Sequence, residues 1–334
     1  MRATPRNLGL TCLALLVLAG VLLLICLGLG TASIPLESVW DWLSGRPLEH
    51  THLVILSRLR LPRLLLAALI GCSLSISGAV LQGVLRNPLA EPFILGVSGG
   101  AAGGAVLAMA LNLAGMWARS GLAFLGAMVT VLLVLGLTRR QGRRDTATVV
   151  LTGVMINAFF TAFIMFIIAT ASENKTHAIM FWLYGDLSGA GLEQVEVLAP
   201  VVLACTLGLC LFARQLNLLA GGERTAAALG VNPERVKFIL FLLVSLMVGF
   251  TVSLGGLVGF VGLMVPHLVR ISLGHDHRLQ LPAAALFGAS FMMLADTAAR
   301  MVISPSQLPV GVVTAALGAP FFVMLLARRG SQWW

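Results

Sequence analysis

The chain has 334 residues, of which 58% are hydrophobic and 10% are charged, and its mean hydropathy is +0.98. Soluble domains carry about 25% charged residues, so composition excludes a protein that faces water on all sides. The net charge of +9 does not indicate a nucleic-acid partner, because the basic residues lie in short clusters between apolar runs, as the positive-inside rule predicts. These runs are about 20 residues long and do not alternate, which predicts helices in a lipid bilayer rather than a β-barrel.

Apolar segments suited to crossing a bilayer recur along the whole chain. The ten segments are 8–30, 62–84, 94–113, 117–138, 147–170, 195–213, 237–255, 260–273, 281–303 and 309–327. The first is long for a signal peptide and lacks a small-residue cleavage site, so we expect it to be retained. The eighth is short and rich in Gly and Pro, which suggests a half-span. The sequence therefore predicts an all-α integral membrane protein with about ten transmembrane helices, organised as a single domain over 1–334.

Basic residues orient these segments. With a cytoplasmic N-terminus and ten passes, the cytoplasmic connections hold fifteen Lys and Arg residues and the outer ones hold seven, so both termini are expected to be cytoplasmic. The outer loops are then 31–61 and 171–194. Arg58, Arg60 and Arg63 cluster on the outer side against the rule. Either an acidic partner binds there, or the side chains extend into the headgroup region.

Catalytic and metal-binding patterns do not stand out. No GxxxxGK[ST] phosphate loop occurs, and neither Lys175 nor Lys237 follows a glycine-rich turn. The five cysteines lie in apolar runs, and His275-Asp276-His277 is interpreted as a solvated turn, so no metal site or cofactor is expected. Asp296 is a rare ionisable residue within a span, and Arg300 follows it on the same helix face, which favours a structural ion pair.

A series of short motifs runs through the chain in order. They are Arg60-Leu-Pro-Arg63, Asn87-Pro88-Leu89-Ala90-Glu91-Pro92, Leu216-Asn217-Leu218-Leu219, Gly222-Glu223 through Leu229-Gly230, Pro266-His267, Asp276-His277-Arg278, Ala295-Asp296 with Arg300, and Leu308-Pro309-Val310-Gly311. Together they resemble the FecCD/BtuC-type permeases, the membrane subunits of type II ABC importers for iron–siderophores, haem and vitamin B12. One departure is Gln307, where the family usually has Glu.

The resemblance implies a location and a set of partners. The location is the bacterial inner membrane, with both termini cytoplasmic. The partners are a second permease copy, two copies of a cytoplasmic ABC ATPase and a periplasmic substrate-binding protein. ATP hydrolysis would then belong to the separate ATPase, so the chain itself is not expected to be an enzyme.

The resemblance also implies residue roles. It assigns Arg60, Arg63 and Arg300 to docking of the binding protein. The loop 214–236 corresponds to the segment that couples to the ATPase, through Gly222, Glu223, Ala226, Leu229 and Gly230, although an ordinary amphipathic loop helix fits the composition equally well.

Two further sites follow from the same resemblance. Asn87 and Leu89 match positions of the cytoplasmic gate, with a purely structural turn as the alternative. Asn157 and Thr161 would line the pathway in the fifth span. The other class of function left open is a secondary transporter driven by an ion gradient, which would require Asp296. The substrate remains open among siderophore, haem and cobalamin.

Overall fold

The computed structural model of the protein describes residues 4–32, 34–113, 115–140 and 146–328. All regular secondary structure in these ranges is helical. The α-helices are α1 Pro5–Gly28, α2 Leu36–Leu43, α3 His50–Val54, α4 Leu61–Leu85, α5 Val97–Ala110, α6 Met116–Arg140, α7 Thr146–Thr170, α8 Glu173–Leu183, α9 Leu192–Leu211, α10 Ala213–Ala220, α11 Glu223–Ala228, α12 Pro233–Gly255, α13 Val261–Leu273, α14 His277–Met301 and α15 Val310–Arg328.

The predicted spans are found as helices. Seven of the helical segments are long and apolar enough to cross a membrane, and α5, α13 and α15 are shorter apolar helices. Together these ten elements occupy the ten apolar segments of the sequence. The short eighth segment is the 13-residue helix α13, which begins after Phe260 in a left-handed conformation (φ 67°) and contains Pro266.

Helix α4 lies at the centre of the bundle and packs against α9, α12, α13 and α14. Glycines permit these contacts. A side chain at Gly71 would overlap the carbonyl group of Gly288 in α14, and one at Gly78 would overlap that of Gly262 in α13. Small residues allow helix backbones to approach closely where lipid supplies no hydrophobic driving force. By contrast, α1 and α7 are largely exposed.

The polar connections contain more structure than the sequence indicated. The segment 31–61 holds α2, α3 and a π-helical turn, Ile55–Arg60, that runs directly into α4. The second span therefore continues back to His50. The connection 171–194 contains α8, and 214–236 contains α10 and α11. Four of the residues used to predict orientation, Arg2, Arg143, Arg144 and Arg329, lie outside the described residues.

Candidate functional site

One end of the bundle holds a buried carboxylate between two arginines. Asp296 is fully buried, with one oxygen 2.8 Å from Nε of Arg63 and the other 3.1 Å from Nε of Arg300. Arg63 also donates from Nη1 to Oε1 of Gln307 at 2.6 Å. The predicted pair of Asp296 with Arg300 is therefore present. Arg63, 233 residues away in sequence, joins it.

Arg60 has a different set of contacts at the same end. Its guanidinium donates to the carbonyl oxygens of Leu27 at 2.6 Å, Gly28 at 2.9 Å and Ala32. The first two carbonyls belong to the last turn of α1, where the helix leaves carbonyl groups without intrahelical partners. Arg60 thus caps α1. Its neighbour Arg58 is exposed and makes no such contact in the described structure.

The three arginines meet at a pocket of about 260 Å³. Its lining includes Arg60, Arg63, Arg300, Gln307 and Ser188. Arginines that bind a partner or extend into the headgroup region are expected to be exposed. Each of these three is instead less than a tenth exposed and is held by contacts within the chain. Asp296 pairs with Arg63 and Arg300, whereas Arg60 contacts only carbonyl oxygens. Three guanidinium groups are therefore accompanied by one carboxylate, so the pocket retains positive charge and is suited to an acidic side chain.

The opposite end of α4 and α14 carries the segment that the sequence predicted to couple to an ATPase. Glu223 at the start of α11 forms an ion pair with the buried Lys237 of α12. Leu229 is 62% exposed, and Gly230 has a positive φ of 83° that suits glycine. Ala226 differs from the expectation, because it is fully buried against this chain's own core. It supports α11 from within and cannot form part of an exposed docking face.

A polar network connects this segment to α14. Asn217 of α10 donates from Nδ2 to Asp276 at 2.7 Å, and its Oδ1 accepts from the backbone N–H of His277 at 2.9 Å. The predicted solvated turn is thus partly wrong, since His277 is only 6% exposed. Hydrogen bonds from the Arg278 side chain, with a further one from Asn217, lower the pKa of Asp276 to about 2. The motif that contains Asn217 does not indicate these contacts, because their partners lie about 60 residues further along the chain.

The predicted gate residues lie on the loop after α4. Arg86 ends the helix in a left-handed conformation (φ 49°), and Oδ1 of Asn87 accepts from the N–H of Leu89 at 2.9 Å. Leu89 is 38% exposed. The loop is anchored by Glu91, which accepts from the N–H of Phe260 at 3.0 Å. Burial raises the pKa of Glu91, and this hydrogen bond opposes the rise.

The predicted pathway residues lie on α7. The hydroxyl of Thr161 donates to the carbonyl of Asn157 at 2.8 Å, one turn earlier. Thr161 is exposed, and the Asn157 side chain lies against Gly99 of α5. Large apolar side chains, including Phe159 at 67% exposed, share this helix. A face of α7 is therefore left uncovered by the other residues that the structure describes.

Comparisons with known proteins agree with this architecture. The family model of the FecCD transport family matches residues 15–328. The chain is 43% identical to a cobalamin import system permease of Halobacterium salinarum over 84% of this chain and 75% of that one. It is 37% identical to the hemin transport system permease of Yersinia pestis over 95% of both chains. A solved metal-chelate type ABC transporter in an inward-facing conformation superposes with a TM-score of 0.86 at 30% identity, covering 98% of this chain and 100% of that one.

The bundle of apolar helices indicates a multi-pass membrane protein, and its match to a solved ABC transporter places it in the ABC permease class. Within that class, the chain belongs to the FecCD transport family, because the family model covers nearly its whole length. Proteins of this class act with an ATPase and a substrate-binding protein, and nothing in the comparisons indicates an enzyme family for this chain.

Proposed function

We propose that this permease imports an iron chelate, either a siderophore complex or haem, or else cobalamin, across the inner membrane. The observation that carries the proposal is the similarity to permeases named for cobalamin and hemin, over most of the chain for the first and nearly its whole length for the second. The residues 1–334 then form one permease domain. Translocation involves no covalent chemistry in this chain, and the energy comes from a separate ATPase subunit.

The proposed assembly contains two copies of this chain, two ATPases and one periplasmic binding protein. Both termini lie in the cytoplasm, as the distribution of Lys and Arg supports. The uncovered face of α7 and the exposed apolar side chains of α15, which include Val323 and Met324, then meet across a central pathway lined by Asn157 and Thr161. An uncovered apolar face of this extent is typical of a surface that binds another protein or lipid.

The two polar ends of the bundle are assigned to the two soluble partners. The pocket formed by Arg60, Arg63 and Arg300 receives acidic side chains of the binding protein, and its excess positive charge supports this role. The α10–α11 segment docks on the ATPase through the half-buried Gly222 and the exposed residues Glu223, Leu229 and Gly230, with Ala226 supporting the helix beneath them.

The loop of Asn87 and Leu89 is assigned to the cytoplasmic gate. It lies at the same end of α4 as the ATPase-facing segment, and Leu89 is available to meet its counterpart in a second copy. The anchor between Glu91 and Phe260 ties the loop to α13, so movement of that short helix would move the gate.

Measuring ATP hydrolysis with and without the ATPase subunit tests the proposal. Purified permease alone should hydrolyse no ATP. The complex with its ATPase should hydrolyse ATP faster when the substrate-loaded binding protein is added. Robust hydrolysis by the permease without a partner would overturn the assignment.

A secondary transporter is the alternative, and the surroundings of Asp296 argue against it. A coupling carboxylate must bind and release a cation during each cycle. Asp296 is instead held between two guanidinium groups and is fully buried. A secondary transporter would take up substrate without any partner protein, and an uncoupler would abolish that uptake.

A further inference from the structure

The side chain of Asn217 joins the ATPase-facing segment to the first turn of α14. Its Nδ2 donates to Oδ1 of Asp276 at 2.7 Å. Its Oδ1 lies 2.9 Å from the backbone nitrogen of His277 and 2.7 Å from Nδ1 of the same residue. One amide of α10 therefore contacts both the N-cap residue and the first residue of α14.

The two residues at the start of α14 that Asn217 contacts, Asp276 and His277, are held in place by other interactions. Asp276 caps α14 by accepting from the N–H of Arg278 at 3.1 Å, and it pairs with the Arg278 side chain at 2.7 Å. His277 is buried. Displacement of α10 would therefore pull on the helix start directly, without an intervening flexible loop.

Helix α14 connects the two functional ends of the molecule. It has 25 residues, which at 1.5 Å per residue corresponds to about 37 Å. Its far end carries the Asp296–Arg300 pair, of which Arg300 lines the pocket formed with Arg60 and Arg63 (the arginine pocket), and its middle packs on α4 through Gly288 and Gly71. A packed helix with a functional contact at each end is a physical route for coupling between them.

We propose that Asn217 is a positioning residue that transmits movement of the α10–α11 segment to α14, and through α14 to the binding-protein end. This inference rests on the proposed function. It assigns to Asn217 a role distinct from docking, because Asn217 lies on α10 and its side chain contacts Asp276 and His277 of this chain. Loss of the contact uncouples ATP hydrolysis from uptake.

The experiment uses the permease reconstituted in proteoliposomes with its ATPase and binding protein. Uptake per ATP hydrolysed is measured for the unsubstituted chain, Asn217→Leu, Asn217→Asp, and the double variant Asn217→Asp with Asp276→Asn. In the double variant the donor and acceptor exchange places, so the hydrogen bonds can re-form, and Asn caps helices as well as Asp does. Thr4→Ala, which removes a cap of α1 away from this network, is the matched control.

Uptake per ATP is expected to fall about fivefold or more in both single variants, to recover in the double variant and to stay unchanged in Thr4→Ala. A merely stabilising role would lower the melting temperature without changing this ratio. An unchanged ratio in Asn217→Leu, or no recovery in a folded double variant, would overturn the inference. Absence of uptake by the unsubstituted complex would contradict the proposed function itself and remove the basis of the inference.

Discussion

The burial of Asp296 determines how the arginine pocket responds to substitution. Asp296→Asn removes the countercharge of Arg63 and Arg300, both of them buried. Breaking a buried ion pair in this way costs about 3–5 kcal/mol. We expect a correspondingly lower melting temperature in detergent. Asp41→Asn is the control, because its pair with Arg46 is exposed and such pairs contribute about 0–1 kcal/mol. Equal effects of the two substitutions would contradict the buried network.

Gln307 is a neutral residue of the same pocket at a position where the family usually has Glu. Its Oε1 lies 2.6 Å from Nη1 of Arg63. In Gln307→Glu this contact becomes charge-assisted, which should raise the free energy of unfolding by about 1 kcal/mol. The added negative charge should also weaken binding of an acidic partner, and the effect should shrink at high salt. Titrating the binding protein against both forms at two salt concentrations checks this, and tighter docking of the Glu form would refute it.

Asp276 provides a pH test at the end of the bundle that holds α10 and α11. Its pKa is depressed from 3.8 to about 2, so its stabilising contribution is present above 3.8 and is lost as the pH falls towards 2. The stability difference between the unsubstituted chain and Asp276→Ala should therefore be constant from neutral pH down to about pH 5 and should decline only in strong acid. Thermal unfolding across this range measures it. A difference that disappears near pH 6 would contradict the assignment.

At the scale of elements, glycine contacts set the helix spacing. Gly78→Ala places a methyl group against the carbonyl of Gly262, so α4 and α13 must separate. Overpacking of this kind costs about 1–3 kcal/mol. Gly20→Ala in α1 is the matched control, since nothing lies within 4 Å of the added carbon. The α4 substitution should lower the melting temperature and the control should not. A larger fall in melting temperature for Gly20→Ala than for Gly78→Ala would contradict the packing described.

The spans could be predicted from sequence because hydropathy and segment length depend only on nearby residues. The contacts between elements that are distant in sequence could not be predicted in this way. Hydropathy does not show that α10 reaches the start of α14 through Asn217, or that Arg63 shares Asp296 with Arg300. The burial of Ala226 could not be predicted either, since its small size suits an external contact and an internal one equally well.

At the scale of the whole molecule, the two charged ends of the bundle are joined by the same central helices. The arginine pocket and the α10–α11 segment lie at opposite ends of α4 and α14. Both helices belong to the central packing, so a rearrangement of that packing can change both ends together. This arrangement supports alternating access driven from the ATPase side, with the binding protein engaged at the other end.

Uptake of a radiolabelled iron chelate or cobalamin into proteoliposomes tests the central claim most directly. The permease is reconstituted with its ATPase and binding protein, with and without ATP and a protonophore. We predict uptake that requires all three proteins and ATP and that persists when the protonophore is present. Uptake by the permease alone that depends on an ion gradient and is lost with the protonophore would contradict the account.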